Sequence, residues 1–183
     1  LLCLSEFAKT KAKESRDAKL EFGIVAVQPA TGDIIYDSFY DNQHLSTLDT
    51  RIHHIQPVEV LLPRVLTART EKLLQDITSS SATEDDRIRV ERMDNEWFEY
   101  NKALDIITEF YGEEECETAD QGMGKDATYR KLQEVINFPV PVICCLAALL
   151  RYLKEFRLHR VLKLTSNFVS CASRRPCMML DAC

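Results

Sequence analysis

The stretch GIVAVQPATGDIIYDSF runs from Gly23 to Phe39 and decides the fold class. Phe22 to Val27 is a short apolar run, compatible with a strand buried on both faces. Pro29-Ala30-Thr31-Gly32-Asp33 is turn chemistry, because proline fixes φ and glycine permits φ above zero. Ile34 to Phe39 returns as a second strand, so the pair reads as a hairpin.

Downstream the pattern alternates. Ser46, with Asp49 three residues on, predicts a helix start; Leu48, Ile52 and Ile55 follow at helical spacing, and Pro57 stops it. Val58 to Pro63 reads as a third strand. Thr67 caps the next helix, whose apolar side is Leu73, Leu74 and Ile77. The segment after Arg87 alternates Ile88 and Val90 against Arg87, Arg89 and Glu91, as a half-exposed strand near a sheet edge does. Asp94 or Asn95 starts a longer helix with the packing stripe Trp97, Tyr100, Leu104, Ile107 and Tyr111. An acidic loop from Gly112 to Thr128, a helical piece from Tyr129 to Ile136 and an apolar helix over about Val142 to Leu158 follow. Strands alternating with helices after a hairpin predict an α/β domain with a mixed sheet.

Composition narrows function. The 183 residues carry a net charge of -6, so the chain as a whole has no footprint for gripping phosphate backbone, and any nucleic-acid contact must be local. Seven cysteines, an odd count with no C-x-x-C pair, fit a reducing intracellular setting. Adjacent Cys144 and Cys145 lie in an apolar run and read as buried small hydrophobes. That run, Val140 to Leu150, is about half of the ~20 residues a membrane span needs. Residues 1–20 read as a charged, solvated linker; acids interrupt its lysines, which argues against a localisation signal.

Catalytic patterns fail one by one. In GMGKDAT the Gly124-Lys125 pair is followed by Asp126, not Ser or Thr, and no strand leads in. A metal-dependent nuclease of the ribonuclease H type needs converging carboxylates, one on the first central strand. Read from the hairpin, that strand is Ile24-Val25-Ala26-Val27 and holds none, while Asp33, Asp37 and Glu91 are explained by turn or strand-face positions. There is no G-x-S-x-G, and His53-His54 reads as a solvated helix flank. Binding or mechanical coupling is the expected use, with no catalytic, cofactor-binding or metal-binding residue in the chain. The exposed candidates for a partner are Arg51 and His54 on the first helix, the Ser79–Asp86 loop, and Arg87 and Arg89 on the edge strand.

Four blocks in order carry a resemblance: the hairpin, QPVEVLLP, DDRIRVERMDNEWFEYNKALDIITEFY and PVICCLAALLRYLKEFRLHRVL. Over roughly Leu20 to Phe168 the chain resembles the MutS family of DNA mismatch-repair proteins, on the branch that recognises insertion–deletion loops. The resemblance implies a ribonuclease-H-like connector domain without an active site over residues 21–121. It implies a helical segment leading into the all-α lever over 122–166. It also implies heterodimerisation with a second MutS homologue, a surface for MutL-type partners, and work in the nucleus. Mismatched DNA, ATP and Mg²⁺ would be handled by family domains outside this chain. Residues 167–183, VSCASRRPCMMLDAC after Asn167-Phe168, depart from the family pattern and suggest read-through, a frameshift or an alternative exon. A truncated, non-functional product is the competing expectation, with Leu146, Leu149, Leu150 and Leu153 left uncovered.

Overall fold

The hairpin lies inside a larger sheet. The structure is a computed structural model, and it describes residues 1–8, 19–79, 87–112 and 124–171. In chain order the elements are β1 (Leu2–Ala8), β2 (Leu20–Gln28), β3 (Asp33–Asp41), α1 (Ser46–Ile55), β4 (Glu59–Pro63), α2 (Ala68–Ser79), β5 (Arg89–Met93), α3 (Tyr100–Gly112), α4 (Gly124–Ile136), α5 (Val140–Glu155) and β6 (Phe168–Ser170). The six strands stand in the order β5-β4-β1-β2-β3-β6. β2 is antiparallel to both neighbours, while β1–β4, β4–β5 and β3–β6 are parallel pairs, so β2 alone runs against the rest.

Alternation along β2 explains its unbroken apolar character. Phe22, Ile24 and Ala26 join Leu48 and Ile52 of α1 and Leu74 of α2 in one core. Val25 and Val27 join the other core, under α3 and α5. Helices therefore cover both faces of the sheet, as layered α/β architecture requires. The hairpin turn closes with the Gly32 amide donating to the Gln28 carbonyl at 2.8 Å, and Gly32 takes φ 79°. A side chain is disfavoured there. Across the turn, Asn167 Nδ2 donates to the Gly32 carbonyl at 3.1 Å and anchors β6 beside β3.

Gly23 sets how closely α5 approaches. A Cβ built on it would lie 2.4 Å from the Pro141 carbonyl carbon and 2.5 Å from the Pro141 oxygen. Only a glycine lets the helix start rest on the strand. Ser5 Oγ donates to the Pro141 carbonyl at 2.9 Å and Cys145 Sγ to the Gly23 carbonyl at 3.2 Å, locking the same contact.

Three expectations are corrected. Residues 1–20 are not simply a linker: Leu2–Ala8 form a strand between β4 and β2, with Leu2, Cys3 and Leu4 wholly buried. The apolar run is too brief to show alternation beside the lysine-rich stretch that follows, and residues 9–18 lie outside the described residues. Residues 122–166, expected as a helical segment leading into the lever beyond a domain ending at 121, include α5, which packs directly on β1 and β2 and shares their core. Leu146, Leu149, Leu150 and Leu153 are accordingly buried, so the uncovered face expected of a truncated product is missing. Residues 168–170 of the supposed tail form β6; residues 172–183 lie outside the described residues.

Helix starts differ in detail. Ser46 makes no capping bond; Leu45 precedes α1 in the left-handed region at φ 52°. Asp41, at the end of β3, accepts from the Leu48 amide at 2.8 Å instead. A carboxylate delivered from the neighbouring strand satisfies the orphan donor that a local serine would otherwise take. The stretch expected to open one long helix is a 3-10 turn, Asn95–Phe98, followed by α3. Asn95 Oδ1 is used elsewhere, accepting from the Val65 amide at 3.1 Å.

Candidate interaction surface

α1 lies on the face of β3 and presents two of the four candidate residues. Arg51 is turned inward: Nη2 stands 2.8 Å from Asp37 Oδ2 on β3, and Asp37 is 7% exposed. Asp37 Oδ1 accepts from the Ser38 amide at 3.0 Å. The Arg51 contact is close in distance but poorly aligned as a hydrogen bond, since Asp37 Oδ2 and Arg51 Nε each lack a hydrogen-bond partner. Arg51 is thus a tie between helix and sheet, and its removal would leave a buried carboxylate uncompensated. His54, the penultimate residue of α1, is exposed, and the adjacent His53 leans back on Asp49 at 3.1 Å.

Arg87 and Arg89 stand at the opposite end of the sheet. Arg87 is exposed just before β5. Arg89 Nε contacts Glu59 Oε1 on β4 at 3.1 Å, and Tyr152 of α5 donates its hydroxyl to the same oxygen at 2.8 Å. β5 pairs only with β4 among the described residues, so its outer edge is open and carries Arg89, Val90 and Glu91. Charges on an edge discourage adventitious strand pairing. The four candidates therefore do not form one patch. β5 and β3 are four strand positions apart, roughly 19 Å at the ordinary spacing. Residues 80–86 of the Ser79–Asp86 loop lie outside the described residues.

The same separation bears on nuclease chemistry. Asp33 accepts from Thr31 Oγ1 in the hairpin turn at 2.7 Å, Asp37 is held by Arg51, and Glu91 is on β5. The sequence reading missed β1, and β1 does bear a carboxylate. Glu6 accepts from the Thr67 amide, at 3.2 and 3.4 Å, where α2 begins. It completes the cap to which Thr67 Oγ1 contributes by meeting Thr70 Oγ1 at 3.1 Å. No three His, Cys, Asp or Glu side chains among the described residues are grouped to hold a metal ion. No described helix alone is long and apolar enough to cross a membrane.

Burial shifts three side chains, Tyr152, Cys144 and Cys3, away from reactivity. Burial, then the hydrogen bond and charge of Glu59, pushes the Tyr152 phenol up to about 12, with Arg89 opposing. Burial, then the neighbouring Cys145, pushes the Cys144 thiol up to about 12. Burial and Cys145 also hold the Cys3 thiol well above its ordinary value. Protonated, enclosed thiols such as Cys3 and Cys144 are poor nucleophiles, and Cys144 and Cys145 are both wholly buried, as expected of small hydrophobes in that run.

The family model described as MutS domain II matches residues 3–166. The chain is 41% identical to the human DNA mismatch repair protein Msh3 over 181 residues, covering 99% of this chain and 15% of that protein. Identity to mouse Msh3 is 44% over 181 residues, with 99% and 16% covered. Identity to MSH3 of Pyricularia oryzae is 42% over 177 residues, with 95% and 15% covered. The alignments to the two mammalian relatives thus reach into residues 167–183, which had been set apart from the family pattern.

Proposed function

Because the chain belongs to the MutS family of DNA mismatch-repair proteins, as its domain II, we infer that it acts as the connector of an Msh3-type subunit, a non-catalytic module for mechanical coupling and protein interaction. The sheet's centre carries this reading. β1 and β2 are apolar on both faces, and the one carboxylate on β1 is consumed in capping α2. A domain built this way transmits force through a rigid three-layer body and offers its helices and edge strand to partners. The strand order, with β2 alone reversed, supports the ribonuclease-H-like label.

The chain spans about 15% of the length of the relatives it matches. Recognition of mismatched DNA and insertion–deletion loops and ATP hydrolysis are assigned on this reading to the parts of such proteins that it does not cover. GMGKDAT lacks the P-loop pattern, and among the described residues no three His, Cys, Asp or Glu side chains are grouped to hold a metal ion, which supports that assignment. The implied partners are a second MutS homologue and a MutL-type protein, in the nucleus.

Isothermal titration of the chain against each partner, beside a DNA-cleavage assay in Mg²⁺ and Mn²⁺, tests this. Binding to at least one partner without cleavage is expected. Cleavage abolished by Asp37→Asn, or binding to neither partner, overturns it.

A further inference from the structure

The chain is acidic overall, yet one stretch is strongly basic. Between residues 151 and 163 a basic residue recurs at every third position, Arg151, Lys154, Arg157, Arg160 and Lys163, against a single acid, Glu155. Arg151, Lys154, Arg157 and Arg160 are all exposed. None of these four makes an ion pair among the described residues, whereas Arg51, Arg64, Arg89, Arg92 and Lys102 all do. The local fold strings them along the end of α5 and the turn after it. α5 ends in a tight cap in which the Leu158 amide donates to the Leu153 carbonyl at 2.9 Å and Arg157 to Lys154 at 3.1 Å. Residues His159–Lys163 then continue as a 3-10 helix, where positions three apart share a face.

Two features mark the stretch as more than a solvated helix end. Arg157 occupies the left-handed position of the cap, φ 59°, where glycine is the ordinary residue. Between the cations, Phe156 and Leu158 are 53% and 48% exposed. Cations at a helix C-terminus complement its dipole, which accounts for Lys154 and Arg157. It does not account for Arg151, which lies over the Trp97 ring at 4.8 Å, or for Arg160 beyond the helix.

We propose that the end of α5 and the following 3-10 helix form a secondary nucleic-acid contact. Arg151, Lys154, Arg157 and Arg160 would meet successive backbone phosphates, and Phe156 would offer its ring to a base. Regularly spaced charge of one sign suits a polymer with a charge on every unit, and an exposed aromatic among cations suits an unpaired strand. The surface adjoins one partner candidate: the Phe156 ring lies 5.0 Å from that of Tyr152, whose hydroxyl meets the Glu59 carboxylate that Arg89 contacts.

The test is fluorescence anisotropy of the full 183-residue chain with labelled single-stranded and duplex DNA, and with labelled polyglutamate, from 50 to 200 mM salt. Four phosphate contacts should weaken DNA binding on the order of 10²-fold across that range. Lys154→Gln, Arg157→Gly and Arg160→Gln together should cut the dependence to a few-fold. Arg157→Gly alone relieves the positive φ, so its loss of affinity cannot arise from misfolding. The proposal is overturned by wild-type chain that shows no salt-dependent DNA binding, or by binding that survives the triple change. Tighter binding of polyglutamate than of DNA also overturns it, in favour of an acidic protein segment.

Discussion

Replacing Gly23 with alanine separates two opposite expectations. A glycine inside a strand ordinarily costs about 0.5–1 kcal/mol relative to alanine, so with open space the change would stabilise. Here the new methyl meets Pro141 backbone atoms at 2.4 and 2.5 Å, and those atoms cannot rotate away. α5 would have to retreat by roughly 1 Å to restore ordinary carbon–carbon contact. Overpacking of this kind costs about 1–3 kcal/mol. The retreat also stretches the Ser5–Pro141 and Cys145–Gly23 bonds, now 2.9 and 3.2 Å, at about 1 kcal/mol each. Gly23→Ala should therefore destabilise by ~2–5 kcal/mol, lowering the urea midpoint by about 1–2.5 M at an m-value of ~2 kcal/mol/M. Pro141→Ala should not rescue it, because two of the three nearest atoms are backbone. An unchanged or raised midpoint would refute the close strand–helix packing.

Arg51→Ala should cost about 3 kcal/mol in the same assay by stranding Asp37, whereas His54→Ala should stay within ~0.5 kcal/mol; equal effects would remove the distinction between tie and surface. Tyr152 ionises later in the folded than in the unfolded chain, so its contribution is whole below pH 10 and is lost as pH rises towards 12. Urea titrations across that range should show a decline of ~2–3 kcal/mol from this group, which Tyr152→Phe removes while costing about 1 kcal/mol at neutral pH. Cys3, Cys144 and Cys145 should resist iodoacetamide at pH 8 until urea unfolds the chain, as read by peptide mass spectrometry; rapid labelling of the native chain would contradict their enclosure.

Local chemistry made much of this molecule legible in its residues. The β2–β3 hairpin follows from its apolar run and Pro-Gly turn, α1 and α2 from helical spacing, and β5 from alternation at an edge. Periodicity and turn residues act over a few neighbours, so they survive without knowledge of the rest of the chain. What depended on distant partners did not. Leu2–Ala8 became a strand because β2 and β4 flank it. Asp41 and Glu6 became caps because the sheet carries them to helix starts seven and sixty-one residues away.

The candidate site divides along the same line. Its residues were picked as exposed, and His54 and Arg87 are; Arg51 is drawn into an ion pair by Asp37 across the α1–β3 contact. α5 shows the principle at its plainest. Its apolar composition said that it must be buried, and by itself determined no more than that. That the sheet and α3 cover it, with Pro141 seated on Gly23, is a matter of which surfaces meet, and only the tertiary structure decided it. Hydrophobic burial is non-directional: sequence states the demand, and topology alone selects the partner that meets it.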